Sequence, residues 1–154
     1  MPKIFKFTFE KLRRIRKFKT KEAQRRLGES YGRLYTQQNR LAVLKKDAAS
    51  ERKNLSRLTS GGKIDTKKSE AVIKSLEIND AEQKVCLMEI QNIQAEIEQR
   101  RMELQEALKE EEKFNKYRDK MYAKYKKELN RKEIKEIDET ASRMNANGKE
   151  IMST

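Results

Sequence analysis

Thr59-Ser60-Gly61-Gly62 settles the fold. Paired glycines behind a serine read as a turn, and here they separate a pair of long runs that contain little Gly and no Pro beyond Pro2. Upstream of the break, Leu27, Leu34, Leu41, Ala48 and Leu55 recur every seven residues, and Ala23, Leu44 and Leu58 fill the complementary positions. That is the a/d seam of a coiled coil, with polar exceptions at Ser30, Gln37 and Glu51. Gly28 and Gly32 weaken this arm locally, by about 1 kcal/mol each relative to Ala.

Downstream, Asp65 or Thr66 is placed to cap a second helix. Its seam reads Leu76, Ile90, Ile97 and Leu104, with Val72, Cys86, Ile93, Ala107 and Phe114 between them and Asn79, Gln83 and Arg100 as polar exceptions. Phe114, Tyr117, Met121, Tyr125 and Leu129 continue at three- and four-residue spacing, and Ile134, Ile137, Ala141 and Met144 resume after a small phase slip. Asn145-Ala146-Asn147-Gly148 then reads as a place where the helix frays.

Two seams joined by a short turn face each other antiparallel. The expected fold is all-α, a long antiparallel two-helix coiled-coil hairpin forming one domain over 1–154. It comprises a first helix at about 3–58, a turn at about 59–64, a second helix at about 65–145 and a frayed tail at 146–154. At 1.5 Å per residue the arms are about 80 and 120 Å long, so the second overhangs the first.

Composition agrees with a single apolar seam. Charged residues make up 41% and apolar residues 35% of the chain, a balance that suits a coiled coil better than a rounded globule. The net charge of +13 is uneven: residues 1–60 carry +13, residues 61–112 carry −5 and residues 113–154 carry +5. Basic ends of this kind point to an acidic or polyanionic partner at one end. No apolar run reaches the roughly 18 residues of a membrane span, and the opening alternates apolar and basic residues rather than presenting a signal-peptide core. A lone Cys86 suits a reducing compartment, so the cytoplasm is the expected location.

Catalysis is not expected. The chain has no His to serve as general acid or base, and Gly61-Gly62 lacks the spacing of a phosphate loop. Glu110, Glu111 and Glu112 read as a solvated helix face, and Cys86 at a seam position reads as a small core hydrophobe. One Cys without His makes no Cys/His zinc site, so neither metal nor cofactor is expected, nor a small-molecule substrate. Tyr31, Tyr35, Tyr117, Tyr122 and Tyr125 stand at helical spacing, which favours packing over base stacking.

The opening, Phe5-Lys6-Phe7-Thr8-Phe9-Glu10-Lys11-Leu12-Arg13-Arg14-Ile15-Arg16-Lys17-Phe18, holds most of the functional information. On a helical wheel Ile4, Phe5, Phe7, Leu12, Ile15 and Phe18 gather on one side, with most Lys and Arg opposite. Such a helix suits an anionic membrane surface, a nucleic-acid backbone or a groove on a protein.

Phe5-x-Phe7-x-Phe9-Glu10-x-Leu12-x-x-Ile15-Arg16 resembles the opening of the FliJ family, small stalk proteins of the bacterial flagellar type III export apparatus. Lys21-Glu22-Ala23-Gln24-x-x-Leu27 is similar to the stretch that follows in that family, although Phe9 stands where an aliphatic residue is expected. Glu133-Ile134-Lys135-Glu136-Ile137-Asp138-Glu139-x-Ala141 resembles its closing signature. The resemblance spans essentially the whole chain.

It implies a fold like the coiled coil of a rotary ATPase stalk, whose paired ends enter a hexameric export ATPase. It also implies contact with the membrane-embedded export gate and with export chaperones, at the cytoplasmic face of the inner membrane, so that membrane contact is peripheral or indirect. By position, Phe5, Phe7, Leu12, Arg13, Arg14, Arg16 and Lys17, with Glu136, Asp138 and Glu139, are the candidates for ATPase docking. Arg40, Val43, Asp47 and Ile73 are the candidates for gate contact, since Val43 and Ile73 are apolar yet off the seam. The competing readings are a basic nucleic-acid-binding coiled coil and the equivalent stalk of a virulence-type III secretion system.

Overall fold

The structure is a computed structural model that describes the backbone of residues 4–152 and the side chains of residues 4–148. It consists of two helices, α1 (Glu10–Ser60) of 51 residues and α2 (Thr66–Met152) of 87 residues, with no strand among the described residues. This is the all-α helical hairpin that the two heptad seams require. Its packing falls into two compact units: Lys21–Glu106, and Met1–Thr20 with Ala107–Thr154.

Within Lys21–Glu106 the seam positions read from the heptads are buried or half-buried. Ala48, Cys86, Ile90, Ile93 and Ile97 are buried, and Leu27, Leu34, Leu41, Leu44, Leu55, Leu58, Val72, Leu76 and Leu104 are half-buried. Burying one such isoleucine contributes about 1.5–3 kcal/mol. The polar exceptions are matched to partners. Asn79 Nδ2 donates to the Leu44 carbonyl at 2.9 Å, and Gln83 Nε2 donates to Asn79 Oδ1 at 2.6 Å. Ser75 Oγ donates to Glu51 Oε1 at 2.6 Å, and the Cys86 thiol donates to the Gln37 carbonyl at 3.2 Å. Glu96 accepts from Arg33 and from Ser30 Oγ, and the Arg33 bond holds its carboxyl below the usual carboxylate range. Polar seam pairs of this kind fix register at some cost in stability.

The turn follows its local chemistry. Asp65 is the cap: its Oδ1 accepts from the Lys68 amide at 3.2 Å and its carbonyl from the Ser69 amide at 3.0 Å. α1 closes at Ser60, with Thr59 Oγ1 donating to the Leu55 carbonyl at 3.0 Å. No glycine among the described residues takes a positive φ, so Gly61-Gly62 turns the chain without the left-handed conformation that paired glycines permit.

Both outer boundaries differ from the sequence expectation. α1 begins at Glu10, not near residue 3, and Lys3 itself lies outside the described residues. Residues 4–7 have no helical structure, and a turn at Thr8-Phe9 leads into α1. The cause is the alternation Phe5-Lys6-Phe7-Thr8-Phe9. A period of two puts the three rings on one side of an extended chain, which a helical wheel misreads as one helix face. At the other end, α2 runs through Asn145–Gly148 to Met152, while residues 153 and 154 lie outside the described residues. Asn and Gly lower helix propensity without removing a donor, and Gly148 does not adopt the left-handed cap that would end the helix.

Candidate functional site

The unit Met1–Thr20 with Ala107–Thr154 holds both chain ends, and it is built from different chemistry than an aliphatic seam. The seam spacing of α1 continues back through Thr20, Arg16 and Arg13, and that of α2 forward through Glu111, Phe114, Arg118, Met121 and Tyr125. Half-burial of Glu110 and Glu111 corrects the reading of Glu110–Glu112 as a solvated helix face. Thr20 Oγ1 donates to the Ala107 carbonyl at 3.3 Å. The Arg16 guanidinium lies over the Phe114 ring, 5.8 Å from its centroid. Arg13 donates to Asn115 Oδ1 at 3.2 Å and, through two further bonds of 3.1 and 2.9 Å, to both carboxylate oxygens of Glu10.

Glu10 is the clasp of this region. It opens α1, where a carboxylate is favoured by the helix dipole. Its amide donates to the Phe7 carbonyl at 3.1 Å, which sets the turn between the extended segment and the helix. The hydrogen bonds from Arg13 hold its carboxyl below the ordinary value of 4.5, and Arg14 and Arg118 add to that charge.

The extended segment lays its rings along α2. Phe5 meets Tyr122 edge-on at 5.2 Å and Tyr125 at 5.5 Å. Phe7 is 7% exposed and packs against Phe9 at 5.9 Å and Tyr117 at 6.1 Å. Such aromatic pairs contribute about 0.5–1.5 kcal/mol beyond their buried area. Tyr117, Tyr122 and Tyr125 are therefore packing residues, and Tyr31 accepts from Arg101, while Tyr35 stays exposed.

The candidates for ATPase docking accordingly divide. Phe5, Phe7, Arg13 and Arg16 face α2 within this unit. Leu12, Arg14 and Lys17 are exposed, and Arg14 keeps 77% of its side chain in solvent. Beside them Ile15 and Phe18 are also exposed, Phe18 at 68%, so an apolar strip rimmed by Lys11, Arg14, Lys17 and Lys19 faces solvent. Glu136, Asp138 and Glu139 lie on α2 where every described side chain from Arg131 to Gly148 is exposed. Among the described residues no hydrogen bond or ion pair joins these three to the opening segment. Ile134, Ile137 and Met144 of the same stretch form an exposed stripe with no seam opposite.

Of the gate candidates, all four lie exposed in the other unit. Arg40 lines a groove with Ile78, Glu82, Val85 and Glu89; Val43, Asp47 and Ile73 do not line it. Ile78 and Val85, seven residues apart, are likewise apolar and off the seam, although neither is among the gate candidates.

Among the described residues no helix is long and apolar enough to cross a membrane, and no three His, Cys, Asp or Glu side chains gather as metal ligands. The fold is a coiled-coil hairpin with solvent-facing apolar and basic residues near its chain ends. Residues 5–150 match the family described as Flagellar FliJ protein, nearly the whole chain, and the chain belongs to that family. No curated protein and no solved structure gives a significant match.

Proposed function

We propose that the chain is the stalk and adaptor of a flagellar type III export apparatus, docking its two ends into a hexameric export ATPase, promoting the assembly and activity of that ATPase, and linking it to the export gate and export chaperones. The single observation that carries this reading is the exposed strip of Leu12, Ile15 and Phe18 rimmed by Lys11, Arg14, Lys17 and Lys19, in a chain of the FliJ family. An apolar strip inside a basic rim suits a pore lined with acidic side chains, where complementary charge speeds encounter and apolar contact holds the complex. The flagellar family favours a flagellar apparatus over its virulence counterpart. The cytoplasmic face of the inner membrane is then the site of action.

Exposure supports a division of labour among these residues in this reading. Leu12, Arg14 and Lys17 meet the ATPase directly, while Phe5, Phe7, Arg13 and Arg16 hold the docking end in shape. Glu136, Asp138 and Glu139 join from the exposed stretch of α2. Gate contact falls to Arg40, Val43, Asp47 and Ile73.

The experiment is a titration of the export ATPase with this protein, following ATP hydrolysis. The expected result is saturable stimulation near one hairpin per hexamer, lost in the Arg14→Ala/Lys17→Ala variant with helicity unchanged. Arg13→Ala reduces stimulation together with stability. No stimulation at any ratio sinks the reading.

A further inference from the structure

In Lys21–Glu106 the two helices differ on the sides turned away from their seams. On α2, Ile78, Ala81, Val85, Met88, Ala95 and Met102 each stand two residues beyond a seam position. Two residues are 200° of helix, so these six lie opposite the buried seam. They repeat at heptad spacing, interrupted by Asn92 and Gln99. Ile78, Val85, Met88 and Met102 are 62–65% exposed. A repeating apolar stripe over roughly seven turns is a second coiled-coil seam without a partner helix. The same positions on α1 are Glu29, Gly32, Thr36, Asn39, Lys46 and Ser50, relieved only by Val43, so α1 has no such stripe.

The rims of the stripe state the charge of its occupant. Glu70, Glu77 and Glu98 follow one edge, and Glu82 and Glu89 the other. Lys84 is the basic exception and is paired with Asp80 at 3.2 Å. Glu98 is paired with Arg101 at 3.0 Å, whereas among the described residues Glu70, Glu77, Glu82 and Glu89 have no ion-pair partner. Arg40 of α1 reaches the groove beside Glu82 and Glu89. Flanking charges choose the partner of a coiled-coil seam, and like charges across it are unfavourable.

We propose that the outer face of α2 between Ile78 and Met102 is a docking surface for a basic amphipathic helix of another protein, with heptad apolar residues flanked by Lys or Arg. The Lys21–Glu106 unit of a second copy does not fit, because its α2 brings glutamates against glutamates and its α1 a polar face to an apolar one. The basic strip of Leu12, Ile15 and Phe18 spans only about two turns, against roughly seven for the stripe. Phosphate polymers and anionic lipid meet the same carboxylate rims. The inference stands apart from the docking of the chain ends, because it concerns the other unit and does not depend on an ATPase.

The test uses the full chain and a labelled synthetic peptide of three heptads, with Leu at both seam positions and Lys at both flanks. Two matched peptides replace the Lys flanks with Glu, or the Leu seam with Ser. The proposal expects saturable 1:1 binding of the Lys-flanked Leu peptide alone. Both Val85→Ser/Met88→Ser and Glu82→Lys/Glu89→Lys weaken it by about tenfold or more, with helicity unchanged because the side chains are exposed. No saturable binding overturns it. So does binding that ignores Val85→Ser/Met88→Ser, which is charge attraction only. Concentration-dependent self-association abolished by that variant also overturns it, since a second copy then covers the face.

Discussion

The two units of this chain close the same hairpin with different materials. In Lys21–Glu106 the seam is aliphatic and regular, with Ile90, Ile93 and Ile97 buried in succession. In Met1–Thr20 with Ala107–Thr154, guanidinium groups, carboxylates and rings take the seam positions, and the chain before Glu10 is non-helical, with a turn at Thr8-Phe9. Aliphatic burial depends little on pH and salt, whereas charge-assisted bonds and edge-on rings depend on geometry at each pair. Each unit therefore draws its stability from a different source. One is an aliphatic scaffold, and the other holds its shape by charge-assisted bonds and ring contacts.

The largest expected effect breaks the scaffold. Ile97→Ala removes a buried side chain from a packed seam and is expected to cost about 2–5 kcal/mol, read as a lowered midpoint in urea. In the other unit Phe7→Ala is expected to cost less, about 1.5–3 kcal/mol, because its site lies at the end of the packed region where neighbours relax into the space. The loss shows in the near-ultraviolet tyrosine signal of Tyr117. Equal costs for the two substitutions contradict the contrast between the units. A smaller change probes the scaffold in the stabilising direction. Gly28 and Gly32 sit within α1, and a Cβ at either meets nothing within 4 Å. Each Gly→Ala is expected to gain about 1 kcal/mol, visible as a raised Tm with ATPase stimulation unchanged.

The smallest effect is a pH dependence. The folded Glu10 carboxyl titrates below its ordinary value of 4.5, chiefly through its bonds from Arg13. A depressed carboxyl contributes stability that is present above the unfolded value and lost as pH falls through the folded one. Acidification below about pH 4.5 is therefore expected to loosen the Phe7-to-Glu10 turn, and Glu10→Gln removes that component. A tyrosine signal with the same acid response in the variant and the parent would falsify the clasp.

Most of the scaffold was legible in the sequence because one physical rule governs it. A heptad of Leu, Ile and Ala marks which side of each helix is buried, so Leu27 to Leu58 and Val72 to Leu104 were named as seam positions, and Asn79, Gln83 and Cys86 fell on the seam as expected. The unit of Met1–Thr20 with Ala107–Thr154 was less legible. Arg13, Arg16, Glu111 and Arg118 occupy seam positions, yet charged residues read as surface until their partners are seen. Phe5, Phe7 and Phe9 alternate with a period of two, and the helical context on their C-terminal side hid it. The stripe through Ile78, Val85 and Met88 was visible as a repeat, but only the burial of the other seam shows that it faces solvent.

The division of labour between the units can be read from amide hydrogen exchange along the chain, with and without the export ATPase. An 18-residue stretch of single helix is marginal in water, so residues 131–148 are expected to exchange fast alone and to gain protection on binding. The turn at Phe7-Glu10 is expected to change with them, while the seam amides of residues 86–97 stay equally protected in both states. Protection that is the same with and without the ATPase over residues 131–148, or that changes mainly in residues 86–97, contradicts the account.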